Sequence, residues 1–428
     1  MDGSVVVAGA GLAGLVAARR LAAAGADVTV VERRDEVGGR VRTRVREGFT
    51  LDRGFQVLFD AYPAARRELD FDALALRRFR PGAVIARGDR RSVLADPLRD
   101  PGAAIESLLN REVTTGDKLR TLRLRRALRS RDLDEVFTGP DASVRAYLRD
   151  RGFSERFLER FAAPFYGGIT LDRSLSTSKR VFEYTFRMLS EGAAALPAAG
   201  MGAVPRQLRD RAVDAGADVA TGERVASVAA DGDGVAVETD ARTLAADAAV
   251  VATDPPTARE LTGVDAIPTD GVGCVTQYYR LPGHAELNTG RKLVLNAVDA
   301  APNALVPLSA VAPSYAPDDA ELLCATFLRD DGFDPFEHGD DALAERTRSA
   351  LASWFPERHA GALEPVATDR IPFAQFAQPP GVHDDLPGPR DPDGPVYLAG
   401  DYTRWSSIQG AMQSGREAAE AVRADAGR

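Results

Sequence analysis

Three glycines decide most of what this chain can become. Gly9-Ala10-Gly11-Leu12-Ala13-Gly14 follows the apolar run 4–8 and opens the Ala/Leu-rich stretch 12–24, which Gly25 ends. Between a strand and a helix, each glycine has a separate task. Gly9 permits the tight turn, Gly11 lets a pyrophosphate approach the backbone, and Gly14 lets helix and strand pack closely. The N–H groups around Leu12 and Ala13 then lie at a helix N-terminus, whose positive dipole end accepts phosphates. Residues 26–32 read as a second strand, so 4–32 forms one βαβ opening. Glu32 ends that strand eighteen residues past Gly14, placed to accept ribose hydroxyls; the plainer reading is a solvated strand-end charge. A dinucleotide site is expected.

The 428 residues suit two ordinary domains, and 44% apolar with 27% charged residues is a globular balance. The net charge of −9 argues against a nucleic-acid partner. No apolar run approaches the ~18–20 residues of a membrane span, and the first residues lack a basic n-region, so a cytoplasmic protein is expected. Two cysteines, Cys274 and Cys324, and four histidines make neither a disulfide framework nor a metal site.

Further along, residues 103–195 read as mostly helical. Val225–Val228 and Val235–Glu238 alternate around Asp231-Gly232-Asp233-Gly234, a hairpin signal. The apolar run 248–253 is a strand that Asp254-Pro255-Pro256 stops. Residues 273–330 give further strands, 340–354 a helix and 374–395 a loop; the chain closes with a strand at 395–399 and a helix from about 409 to 424.

After Glu32 come Arg33 and then Gly38-Gly39-Arg40, two glycines that admit phosphate beside a planar cationic fork. With Glu223-Arg224-Val225 and the late Gly400-Asp401, this ensemble resembles the flavin-containing amine oxidase superfamily, which includes phytoene desaturases and protoporphyrinogen oxidases. The likeness runs through the chain in order and is nearest the desaturase-like branch. Leu51-Asp52-Arg53-Gly54-Phe55-Gln56 resembles that branch's segment beside the flavin ring, and 197–205 its Gly-Met…Pro segment. The resemblance implies that FAD is held non-covalently, since neither cysteine neighbours Gly400-Asp401. It implies that Val225 meets adenine through its backbone, Gly400-Asp401 the ribityl-pyrophosphate, and Gly410-Ala411-Met412 the ring.

Flavin oxidation asks the protein chiefly to place substrate and stabilise charge on the ring. Amine oxidases of the superfamily often use a lysine near the flavin and an aromatic cage. Lys179 and Lys292 are the available lysines; Lys292 opens a strand, where a solvated residue is the ordinary alternative. Tyr402 and Trp405 offer one wall of a pocket, or plain packing. Phe161, Phe165, Tyr166, Phe182, Tyr184 and Phe186 are either the core of the helical part or an apolar tunnel. Residues 118–131 form a basic amphipathic helix, either a solvated face or a peripheral contact with an anionic bilayer.

The expected architecture is α/β: a Rossmann-like FAD-binding domain (1–85, 196–265, 386–428) interleaved with a mixed α+β substrate domain (86–195, mostly helical, and 266–385). The expected function is FAD-dependent hydride removal from a small apolar, desaturase-like substrate. A flavin amine oxidase is the alternative, and a non-catalytic FAD-binding protein the alternative of another class. A nicotinamide-dependent dehydrogenase suits Gly39-Arg40 and the terminal Gly-Asp turn less well.

Overall fold

The computed structural model describes residues 3–95, 99–100, 110–133, 135–232, 234–283, 287–358 and 360–427. Five strands form a wholly parallel sheet in the order Asp218–Thr221, Asp27–Glu32, Ser4–Ala8, Ala248–Val251, Val396–Leu398. Val5, Val6, Val7, Val250 and Val251 are buried, as strands covered on both faces require. Register ties distant segments together: Val7 lies beside Val30 on one side and Val250 on the other, and Val250 beside Tyr397. Helix Leu12–Ala22 follows the first strand, and Gly25 turns the chain at φ +93°. The last helix, Ile408–Ala426, presses on it so closely that a Cβ at Gly415 would overlap Ala13 O.

The hairpin forms where its turn residues place it, with Val225–Asp231 antiparallel to Gly234–Thr239 and Asp231 opposite Gly234. Glu223 and Arg224 precede the strand, and Glu223 N–H donates to Glu32 O, tying the hairpin to the parallel sheet.

A seven-stranded mixed sheet makes the other half, in the order Glu364–Phe376, Gly271–Pro282, Ala320–Phe327, Ala304–Pro307, Leu293–Asn296, Ala83–Arg87, Arg90–Leu94. Here two expectations are corrected. The boundary at 85 falls inside Ala83–Arg87, which pairs in parallel with Leu293–Asn296, because its apolar run needs a buried sheet position. Residues 374–376 are strand, not loop, since Gly271 and Val272 pair with Phe376 and Gln375. Helices Thr115–Arg129, Val144–Asp150, Ala163–Thr170 and Lys179–Glu191 cover this half; residues 103–109 of the expected helical stretch lie outside the described residues.

Asp52 ends strand Phe49–Asp52 and joins the two halves. Its carboxylate accepts from Thr43 Oγ1, from Met201 N–H at 2.7 Å and from Tyr315 Oη at 3.0 Å, while Tyr278 Oη donates to its carbonyl. Burial pushes the Asp52 carboxyl up to about 6, outweighing those hydrogen bonds. Because the folded state holds this proton more tightly than the unfolded chain, Asp52 stabilises the fold most below pH ~4. That contribution, about 3 kcal/mol, is lost as pH rises through about 6. Urea unfolding of wild type and Asp52→Asn at pH 4 and pH 7 checks this. The wild type is expected to lose about that much stability relative to the variant on going to pH 7; parallel pH dependence would contradict it.

Candidate active site

A continuous cavity of about 860 Å³ begins at the glycine loop and runs into the second half of the molecule. Its first part is lined by Gly9, Gly11, Leu12, Ala13, Glu32 and Arg33, with Arg34, Arg224 and Val225 beside them. Glu32 is buried, and its carboxylate accepts from Ala10 N–H at 2.9 Å and Arg34 N–H at 3.0 Å. It therefore holds the glycine loop in shape while facing the cavity. Gly14 does not reach the cavity; a Cβ there would overlap Gly9 O. That is its expected packing task.

The middle part is lined by Gly38, Gly39, Arg40, Gly400 and Asp401. Gly38 and Gly39 adopt φ +120° and +61°, backbone that favours glycine. Arg40 is less simply placed than its expected role as a phosphate counter-ion. One guanidinium nitrogen donates to Asp401 at 2.6 Å and another to Ala374 O at 3.2 Å, so its charge is shared with a carboxylate from the far end of the chain. Asp401 also accepts from Ser406 Oγ at 2.7 Å.

Gly54, Phe55 and Gln56 meet Trp405, Ser406 and Ile408 around the next part. Gln56 Nε2 donates to the carbonyls of Arg40 and Arg53, and its Oε1 is buried without a protein partner. Trp405 stacks on Phe137 with ring centroids 4.5 Å apart, and Phe137 in turn meets His383, which burial pushes down to about 4. This wall stays uncharged at neutral pH.

Three expected positions are corrected. Tyr402 is fully buried in the core, its hydroxyl donating to Val251 O at 3.1 Å, and forms no cavity wall; the Gly400-Asp401 turn points it back under the sheet. Lys292 is neither solvated nor in the cavity: it is buried in an ion pair with Asp100 at 2.7 Å. The last helix begins at Ile408, close to its expected start, but it does not turn all of Gly410-Ala411-Met412 to the cavity. Ser407 caps it, its Oγ accepting from Gly410 N–H at 2.8 Å, and Ala411 N–H donates to Ser407 O. Met412 is buried in the core and Gly410 packs over Trp405 O, so of these three only Ala411 lines the cavity. The N–H groups left without an acceptor inside the helix belong to Ile408 and Gln409.

Beyond Trp405 the cavity opens into an apolar chamber walled by Phe157, Phe161, Phe165, Tyr166, Phe186 and Leu189. The aromatic cluster thus divides, with Phe182 and Tyr184 remaining in the core. Sequence reasoning missed Phe157, and it read Asp254 only as a strand stop. Asp254 caps helix Pro255–Thr262, pairs with Arg33 at 3.0 Å and lines the nucleotide end; its Asp-Pro-Pro was a legible cap signal. Cys274 also lines the cavity, its thiol pushed up to about 12 by burial and so protonated.

Residues 12–423 match the family model described as flavin containing amine oxidoreductase. A phytoene dehydrogenase from Streptomyces griseus is 34% identical over 295 residues, which is 60% of this chain and 56% of that protein. This chain thus aligns with little more than half of that relative's length. An oxidoreductase from Methanosarcina mazei superposes with a TM-score of 0.75 at 18% identity, over 97% of this chain and 100% of that one. Cyclohexylamine oxidase from Brevibacterium oxydans gives 0.72 at 20% identity over all of both chains. At such identities these two structures report the fold.

Replacing Glu32 with Ala removes a carboxylate that both faces the cavity and anchors the loop. Retention of the nucleotide is expected to weaken by about 1.5–3 kcal/mol, or one to two decades in Kd. Titration of stripped protein with flavin nucleotide measures it; an unchanged Kd would leave Glu32 a structural charge only.

Proposed function

We propose a function from one premise: this chain belongs to the family of flavin-containing amine oxidoreductases. Family membership implies a flavin cofactor, and the cavity fits one. The position of a Cβ on Gly11 is open space, and Gln56 Oε1 and Thr326 Oγ1 are buried polar atoms on its path with no protein partner. In this reading the cofactor is FAD, held without a covalent bond. Glu32 accepts the ribose hydroxyls, the N–H groups at the start of helix Leu12–Ala22 with Gly38 and Gly39 hold the pyrophosphate, and Gly54–Gln56 with Ser406–Ile408 hold the ring. FAD, when bound, supplies the hydride acceptor.

The protein's own contribution is placement and charge. Ile408, which lines the cavity, presents an open N–H group at the positive end of a 19-residue helix, which stabilises negative charge on the reduced ring. Phe161, Phe165 and Phe186 exclude water and hold an apolar substrate by area alone. The observation that carries the reading is the continuity of nucleotide cradle and aromatic chamber in one cavity. We read the activity as hydride removal from an apolar, desaturase-like molecule. The amine oxidase alternative also fits the family but no better; Lys292, a lysine expected to serve it, is committed to Asp100 away from the cavity.

The outward face of helix Thr115–Arg129 exposes Leu119 and Leu122 beside Arg123 and Arg126, a composition suited to the surface of an anionic bilayer. Among the described residues no helix is long and apolar enough to cross a membrane.

Anaerobic mixing of the flavin-loaded protein with polyene hydrocarbons, porphyrinogens and primary amines tests the activity. Loss of flavin absorbance with an apolar substrate is the expected result. Reduction by amines alone would overturn the desaturase-like reading, and reduction by none would favour a protein in which the flavin is structural.

A further inference from the structure

Four cations gather where the apolar chamber ends. Arg80, Arg99, Lys118 and Arg125 all line the cavity, and two of them are held by one short segment. Arg99 donates to Leu189 O at 2.5 Å and Gly192 O at 2.6 Å, and Arg125 to Ser190 O at 3.1 Å. Phe79 N–H donates to Ala194 O, two residues past that segment, and Arg80 follows Phe79 in the chain. This segment ends helix Lys179–Glu191, whose Val181, Thr185 and Phe186 line the chamber one to three turns earlier. Phe186 of the aromatic wall and the carbonyls of Leu189 and Ser190 that hold Arg99 and Arg125 are therefore parts of one element.

The carbonyls at that helix end carry partial negative charge and offset some of the positive charge around them. They do not offset most of it. Among the described residues, the acids lining the cavity are Glu32, Asp254 and Asp401, all at the nucleotide end, and the last two face Arg33 and Arg40. Neither Arg80 nor Arg99 makes an ion pair among the described residues. A guanidinium has five N–H donors in a planar fork; Arg99 spends two on carbonyls that also fix its position. A preoriented cation beside an apolar chamber is the arrangement that recognises a carboxylate or phosphate.

We propose that this end of the cavity is an anion site, and that the substrate is an amphiphile whose apolar portion lies in the aromatic chamber and whose anionic head meets Arg80 and Arg99. The inference rests on the apolar-chamber reading above and narrows it. A pure hydrocarbon would make no use of the charge on Arg80 and Arg99, and an ammonium substrate would be repelled by them.

Calorimetric titration of the FAD-loaded protein with oleate and with oleyl alcohol tests it, the flavin absorbance being followed in the same samples. Oleate should bind at least tenfold more tightly at low salt, with the advantage shrinking as salt is added. Arg80→Gln should lower oleate affinity about tenfold and leave oleyl alcohol unchanged. Arg80 carries the test because Arg99 also caps a helix; Arg99→Gln should behave alike where it folds. Equal affinity for the two probes, or no binding of either, would overturn the anion site. So would an Arg80→Gln variant that binds oleate normally but no longer sediments with phosphatidylglycerol vesicles, since the cations would then serve a lipid surface. Flavin content, measured separately, reports on the flavoprotein reading: an anion preference in protein that holds no flavin would sink that reading and leave the site standing.

Discussion

Everything in the cavity depends on one register: strand Ala248–Val251 lies parallel between Ser4–Ala8 and Val396–Leu398. These three strands come from the start, middle and end of the chain, and Ala248–Val251 has no strand partners in this sheet but the other two. Their pairing brings Gly9, Ala252 and Gly400 to one sheet edge, where strand ends and helix starts meet, the usual place for a ligand on a parallel sheet. Side-chain links then lock what the backbone has assembled. Arg40 reaches Asp401 across 361 residues, and Glu68, fully buried, is gripped by Arg19, Arg20 and Arg416 from the first and last helices. Removing one partner of such a buried set leaves uncompensated charge, which costs far more than the set contributes.

The same assembly explains how a glycine-lined cradle and an aromatic chamber share a cavity. The chain leaves the nucleotide sheet twice, each time to add strands or helices to the second half, and Asp52 with Tyr278 and Tyr315 bonds the halves where they meet. A ring bound between Gly54 and Ile408 would therefore lie on the seam. One side of that seam is rich in backbone N–H groups and the other in aromatic faces, so charge and apolar substrate are handled by different halves.

Local features were legible in the sequence because their causes are local. A glycine with a tight turn, a strand with buried valines, and Gly232 in the hairpin all follow from backbone sterics and period-two burial. Side-chain environments created by distant segments were not legible. Lys292 looked solvated because its ion-pair partner, Asp100, lies 192 residues away. Tyr402 looked like a pocket wall, but its direction is set by Val251 on a neighbouring strand. The last helix, expected from about 409, starts at Ile408, so its open N–H groups belong to Ile408 and Gln409 and not to Gly410-Ala411-Met412, the stretch expected against the ring. Ser407 was a legible N-cap three residues before Gly410, so that signal was present. The cationic end of the chamber had no such signal, since Arg99 and Arg125 are brought together only through the carbonyls at the end of helix Lys179–Glu191.

The central claim is that three distant segments build a cradle shaped for FAD and close it without a covalent bond. Acid precipitation of the purified protein, followed by mass analysis of the supernatant, tests this most directly. Release of FAD into the supernatant is the result predicted. Flavin retained in the pellet would contradict non-covalent binding and draw attention to Cys274 on the cavity wall, and release of FMN or a nicotinamide nucleotide would contradict the cradle itself.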